Sequence, residues 1–386
     1  MASHWTPLKL VLALTLVASG CSETGVSKTG AVGASPGDDD APFSTDWGQW
    51  LAMTSYEGKP AITFYDRAQG GLGFAIGTVT ESSVEWAFEG VDGYPDSSGL
   101  DLGDRGTYGS LAVDAAGFVW AAYYDQGAKT LRYAKRHPRL KAWKTGIADV
   151  GDGVSADAGR FSSIAIAADG NPVIAHHDHG AGTLRKARWN GTGFVGSVFD
   201  AGDPVAASDT GSEEPETAPN VGQFVKLKII GGVEYMAYYD AANGDLKLAI
   251  GDTVHVVDDA GDVGKWPDFA VVGDTVHIVY QDAGLQQLKY ATGAPGAWDI
   301  SVVDTAPYTG ADTALYVEAG APKVVYFQGR ENDMKHATLA DGAWSSRMLL
   351  TEGAVGFHNE VIQLDGQSYV GCYDYTSRSV RFAKLD

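Results

Sequence analysis

The sequence predicts an all-β chain folded as a seven-bladed β-propeller with four-stranded blades. Three observations carry this: a segment that recurs seven times, a unit length suited to four short strands, and no apolar stripes at helical spacing. Each copy reads as an apolar run, an aromatic pair, Asp, five turn residues, an aliphatic residue, two more, then Ala. The clearest is WAAYYD-QGAKT-LRYA at 120–134, and the others lie at 61–75, 173–187, 235–249, 277–291, 323–337 and 369–383. The anchors are Asp66, Asp125, Asp178, Asp240, Asp282, Gln328 and Asp374, and each stands nine residues before its Ala. Spacings of 59, 53, 62, 42, 46 and 46 between anchors bracket the length of one blade.

Each unit divides into elements. Strand A is illustrated by Ser110 to Asp114, and a turn carrying Gly117 leads to strand B, Phe118 to Asp125. The five-residue turn leads to strand C, Leu131 to Lys135, and strand D carries Trp143, Trp298 or Trp344. The seventh unit ends at Asp386 before a strand D, so the segment Ala41 to Asp46 is expected to supply that strand and close the ring, the alternative being a last blade of three strands. Two acidic loops, 91–107 and 202–220, account for the wide early spacings. Their carboxylates could hold calcium, but solvated loop is the simpler reading.

The repeat Ser-Leu-Ala-Val-Asp-x-x-Gly (110–117) with Tyr-Tyr-Asp and Leu-Arg-Tyr-Ala resembles one found in many bacterial and archaeal secreted proteins. It is similar, more loosely, to the repeats of sialidase-like propellers. That resemblance implies the fold and not an activity.

The N-terminus reads as an export signal. Lys9 precedes an apolar run, Leu10 to Ala18, which is too short to span a bilayer. The stretch Ala18-Ser19-Gly20-Cys21 resembles the lipobox of bacterial lipoproteins, with Ala18 where leucine is usual. The resemblance implies acylation of Cys21 and, with Ser22 next, an outer-membrane or cell-surface location. The expected organisation is a signal peptide at 1–20, lipidated Cys21 and a flexible tether at 21–40, and the propeller at 41–386.

Charge limits the partners. The chain carries −21 at pH 7, and removing residues 1–20 leaves −22. Such a surface repels nucleic acid and anionic lipid, so the membrane is reached only through the anchor. Two cysteines, one of them acylated, leave no disulfide framework, and Cys372 reads as a small buried apolar group. A monomer is expected.

Candidate site residues fall into three groups. Repeated Asp before a turn reads chiefly as a cap for local backbone N–H groups. The basic residue of strand C should lie near the aromatic before the Asp, as Arg132 near Tyr124, with Tyr239 and Arg185 as counterparts in other blades. Blade three departs from the pattern with His176, His177, Asp178 and His179. These histidines are the candidate catalytic groups, and His177, Asp178 and His179 are the candidate ligands for zinc or another divalent metal. The stretch is also similar to the His-rich segment of propeller polysaccharide lyases that act on ulvan. Repeat drift from aromatic to His is the competing reading. At the channel mouth, Tyr108, Phe161 and Phe357 stand nine residues before a turn glycine, Trp266 takes the equivalent place, and His358 adjoins Phe357. Such aromatics stack on sugar rings or plug the channel.

No nucleophile elbow, phosphate loop, dinucleotide fingerprint or zincin motif is present. The sequence therefore favours a cell-surface module binding a glycan or an envelope protein at the mouth. The alternatives are an extracellular lyase acting through the blade-three histidines, and a structural envelope component.

Overall fold

The computed structural model describes residues 31–32, 45–81, 83–95, 103–152, 156–203 and 218–385. The export segment, Cys21 and the centres of both acidic loops lie outside these residues. Within them the chain forms seven antiparallel four-stranded sheets, a seven-bladed propeller. Blade three shows the order: Ala158–Ile166 innermost, then Pro172–Asp178, Thr183–Trp189 and Phe194–Asp200 at the rim. In blade two the innermost strand is Arg105–Val113, so strand A starts five residues before the expected Ser110.

The repeat residues have distinct structural tasks. Asp178 Oδ1 accepts the backbone N–H groups of Gly180 and Ala181, and Asp374 does the same for Thr376 and Ser377. Gln328, the exception, accepts the Glu331 N–H through Oε1 and so fills the same role. The closing alanines are buried between sheets, where a larger group would not fit. Cys372 is buried in strand B of blade seven, and burial pushes its thiol up to about 12.

A glycine that begins each strand A seats one blade on the previous one. At Gly264 φ is +107°, and an added Cβ would lie 2.7 Å from the Cα of Leu246 in the preceding blade's strand C. Gly48 of blade one meets Val380 of blade seven in the same way, which closes the ring at its inner edge. Gly264→Ala must both hold a left-handed backbone and push two blades apart. The backbone strain alone is worth about 1–3 kcal/mol. A lowered urea midpoint with unchanged slope would bear this out, and an unchanged midpoint would refute it.

The fourth strand of blade seven is Ala31–Val32, paired with Phe382 and Arg381. An N-terminal segment does close the ring, but it is Ala31–Val32 of the expected tether and not the segment next to Trp47; of the expected 41–46, residues 41–44 lie outside the described residues. The reason is distance. Strand D lies three strand spacings, about 14 Å, outside strand A. A segment abutting Trp47, the first residue of the innermost strand, cannot also form the outer edge.

Candidate functional site

Strand A begins and strand B ends at the same end of the ring, so this end gathers the channel mouth. Every strand A shifts register twice against strand B, and the second shift leaves one extra residue at the mouth, as where Gln49 and Ala52 oppose Tyr65 and Thr63. Such a bulge re-aims a side chain. The bulged residue adopts a left-handed conformation in all seven blades: Trp50, Tyr108, Phe161, Phe224, Trp266, Asp312 and His358 have φ between +46° and +54°. Six of these are aromatic, although left-handed backbone disfavours bulky residues.

The rings form a rim around the channel. Centroid distances are 4.8 Å for His358–Trp50, 4.1 Å for Trp50–Tyr108 and 4.8 Å for Tyr108–Phe161. They continue at 4.5 Å for Phe161–Phe224 and 4.6 Å for Phe224–Trp266. His358 Nδ1 lies 3.7 Å from Asp312 Oδ1. The following residues hold this strained circle to the blade before. Ser162 donates to the Tyr108 carbonyl at 2.6 Å, Thr313 to that of Trp266 at 2.5 Å, and Asn359 to that of Asp312 at 2.8 Å.

One sector of the rim is polar. Burial pushes Asp312 up, and it pushes His358 down despite the facing Asp312 and Glu360 carboxylates. Two residues deeper, Lys226 Nζ donates to Glu360 Oε1 at 2.8 Å. These residues belong to blades four and seven, so the ion pair crosses the channel. Burial opposes the Lys226 charge, but Glu360, Asp268 and Asp312 outweigh it and raise its pKa. Rim and ion pair enclose a cavity of about 310 Å³.

Tyr108, Phe161, Trp266 and His358 therefore stand together, as expected from the sequence. Phe357 does not. It faces strand B opposite Tyr373 and packs on Phe327 at 4.3 Å. Counting back from the turn glycine fails because blade seven turns between strands A and B in two residues and blades two and three in a longer loop. Trp50, Phe224 and Asp312 were not identified from the sequence. A Gly-x-residue signal marks the whole circle, from Gly48-x-Trp50 to Gly356-x-His358.

The other candidates lie between blades. Tyr124 and Tyr239 stand behind the rim and donate, each at 2.6 Å, to Asp157 and Asp262 of the next blade. Arg132 pairs in register with Tyr123 rather than Tyr124, because a basic residue opposes the aromatic two before the Asp. Its Nε donates to Asp92 at 3.0 Å, and Tyr123 donates to the same oxygen at 2.5 Å. Asp92 ends strand D of the preceding blade, so the three groups clamp a seam. The same clamp recurs with Asp258, Tyr280 and Lys289 and with Asp304, Tyr326 and Lys335; at Asp200 only Tyr238 bonds the carboxylate, while Lys247 stands 3.8 Å off and binds Asp240 at 2.6 Å.

Blade three builds its clamp from His176. Its Nε2 lies 3.1 Å from Asp149 Oδ2, and Arg185 Nε donates to that oxygen at 2.8 Å. A carboxylate only accepts, so His176 carries its proton on Nε2. Burial would raise the Asp149 pKa, but these bonds hold it well below the usual carboxylate range. His177 takes the place of Tyr124 and Tyr239, with Nδ1 3.0 Å from the Val221 carbonyl of blade four. His179 is exposed, and its ring centre is 5.9 Å from that of His177.

The metal expectation for His177, Asp178 and His179 is not met by this geometry. Asp178 spends both oxygens on backbone N–H groups, and His177 is sealed in a blade seam. Among the described residues no three His, Cys, Asp or Glu side chains are placed to hold a metal ion. As catalytic groups, His176 and His177 are fully buried and only His179 meets solvent.

Burial gives His177 a pH signature. Desolvation pushes it down to about 4, against the bond to Val221. As pH falls below about 6.5 the unfolded chain takes up this proton and the folded chain does not, so stability is full above 6.5 and declines towards 4. The expected loss is up to about 3 kcal/mol. His177→Gln keeps a donor without the titration. Urea midpoints should fall less between pH 7.5 and 5 in the variant than in the parent, and equal falls would refute the assignment.

No protein-family profile matches the sequence, and no curated protein is similar to it in sequence. Solved structures share the fold. Polysaccharide lyase Uly1 is 10% identical over 92% of each chain, with a TM-score of 0.54. A prolyl endopeptidase structure is 10% identical with a TM-score of 0.53, over 88% of this chain and 50% of its own. The NanB sialidase from Streptococcus pneumoniae is 9% identical with a TM-score of 0.48, over 94% of this chain and 71% of its own. At this identity the likeness establishes the propeller alone, since a lyase and a peptidase share it.

Proposed function

We propose that this protein is a lipid-anchored, cell-surface propeller that binds a glycan at its channel mouth. The observation that carries the reading is the rim of five Trp, Tyr and Phe rings and His358 around a cavity of about 310 Å³, with Asp312 in the rim and the Lys226–Glu360 ion pair across the channel below it. Aromatic faces stack on the apolar faces of sugar rings, and a few convergent polar groups orient hydroxyls. The strained backbone adds to the case. Six aromatics held left-handed persist only where surrounding bonds over-determine them, which is typical of ligand sites. The lipoprotein part rests on the residues around Cys21.

The blade-three histidines do not favour a lyase, because His176 and His177 are bound into blade seams in the positions tyrosines hold elsewhere. The test is a broad panel of polysaccharides incubated with the purified protein, recording both binding and chain cleavage. Binding without cleavage is expected. Cleavage would overturn the binding-module reading, and no response to any glycan would overturn the glycan.

A further inference from the structure

The mouth is a closed socket with a floor, and that geometry decides which part of a glycan can enter. Six rings spaced by 4.1 to 4.8 Å between neighbouring centres, with Asp312 as the seventh member, define a circle. Such a circle is about 10 Å across, or roughly 6–7 Å clear once the thickness of the rings is subtracted. Asp312 completes the circle: it faces His358 on one side, and its neighbour Thr313 ties its blade to the Trp266 carbonyl on the other. The floor is the Lys226–Glu360 ion pair. It lies two residues along the strands from Phe224 and His358, about 7 Å below the rim. A cavity of 310 Å³ holds roughly ten waters. That is room for about one pyranose and not for three in a row.

We propose that the socket takes the terminal sugar unit of a chain, inserted end-on, and excludes internal units. The inference deepens the glycan reading above and rests on it. An internal unit carries linkages on two sides. To enter, it would need either an open groove, which the complete rim denies, or an exit below, which the cross-channel ion pair blocks. A terminal unit has one linkage, directed out of the mouth, and its free hydroxyls point at the floor. There Lys226 Nζ can donate, and the carboxylates of Glu360 and Asp312 can accept. The charged groups of the lining are Asp312 in the rim and the ion pair across the channel, which suits a unit stacked by its faces and read at its far end.

The experiment uses each polysaccharide that the panel identifies as bound. It is compared, at equal mass concentration, before and after partial depolymerisation to short oligosaccharides. If chain ends are read, apparent affinity per unit mass rises in proportion to the number of ends, about tenfold for a tenfold shortening. Affinity that tracks mass, or falls as the chains shorten, overturns end recognition while leaving glycan binding intact. Absence of binding to every polysaccharide and every digest overturns both. Lys226→Ala combined with Glu360→Ala removes the floor. In that variant, checked for an unchanged melting profile, the preference for short chains should fall at least threefold. A preference kept in full would place the stop elsewhere and sink the assignment of these two residues.

Discussion

Asp149→Ala is expected to destabilise the protein by about 3–5 kcal/mol, the largest effect of any single substitution considered. Asp149 ends strand D of blade two and reaches into blade three. There it receives Arg185 Nε at 2.8 Å, Arg185 Nη2 at 3.2 Å and His176 Nε2 at 3.1 Å. Arg185 is almost fully buried, and His176 wholly so. Removing the carboxylate leaves a guanidinium in the seam with only the exposed Asp152 beside it. The cost is chiefly that of the stranded charge and not of the lost pair. Acid dependence gives an independent check. Because the folded pKa of Asp149 is depressed, its stabilisation is complete above the unfolded value, about 3.9, and fades as pH falls below it. The difference between parent and variant should therefore be constant from pH 5 upward and shrink below about 4. Urea titrations at several pH values measure it. A loss under 1 kcal/mol at pH 7 would show that the seam relaxes around the missing group.

Trp50→Ala is expected to weaken glycan binding about thirtyfold, with Trp266→Ala similar. Each indole presents a large apolar face at the rim, and together they flank Tyr108, Phe161 and Phe224. Losing one stacked face and its burial is worth about 2 kcal/mol, or roughly thirtyfold in Kd. Both variants should fold, because the rim residues are half-buried and the blade cores lie behind them. Phe357→Ala is the control. Its ring packs on Phe327 and Tyr375, outside the socket, so binding should change by less than about twofold. Calorimetric titration with the bound oligosaccharide reads all three. If Phe357→Ala weakens binding as much as Trp50→Ala, the glycan lies over the blade surface and the socket reading fails.

Some of this architecture was legible in the chain. The nine-residue step from Asp to Ala, seven times over, requires a repeated hairpin, and the unit length admits four strands and no more. Turn-capping Asp and closing Ala are local in origin. The first satisfies N–H groups two or three residues on, and the second follows from the spacing of packed sheets. Local physics of this kind is written in contiguous residues.

The clamps and the rim were not legible, because their partners come from different blades. Nothing near Asp149 in sequence announces His176 or Arg185, and the tyrosine-for-histidine equivalence at 176 and 177 appears only when the seams are compared. Phe357 and His358 differ by one residue, and an added residue in a strand sends alternate side chains to opposite faces. Only the bulge at Phe357 to Glu360, visible once strands A and B are paired, decides which of the two meets the channel. Composition and repeat period thus determined the propeller and its number of blades. Which side chains share the mouth, and that an ion pair from opposite blades closes it, followed from ring closure, which brings residues 134 positions apart within 2.8 Å.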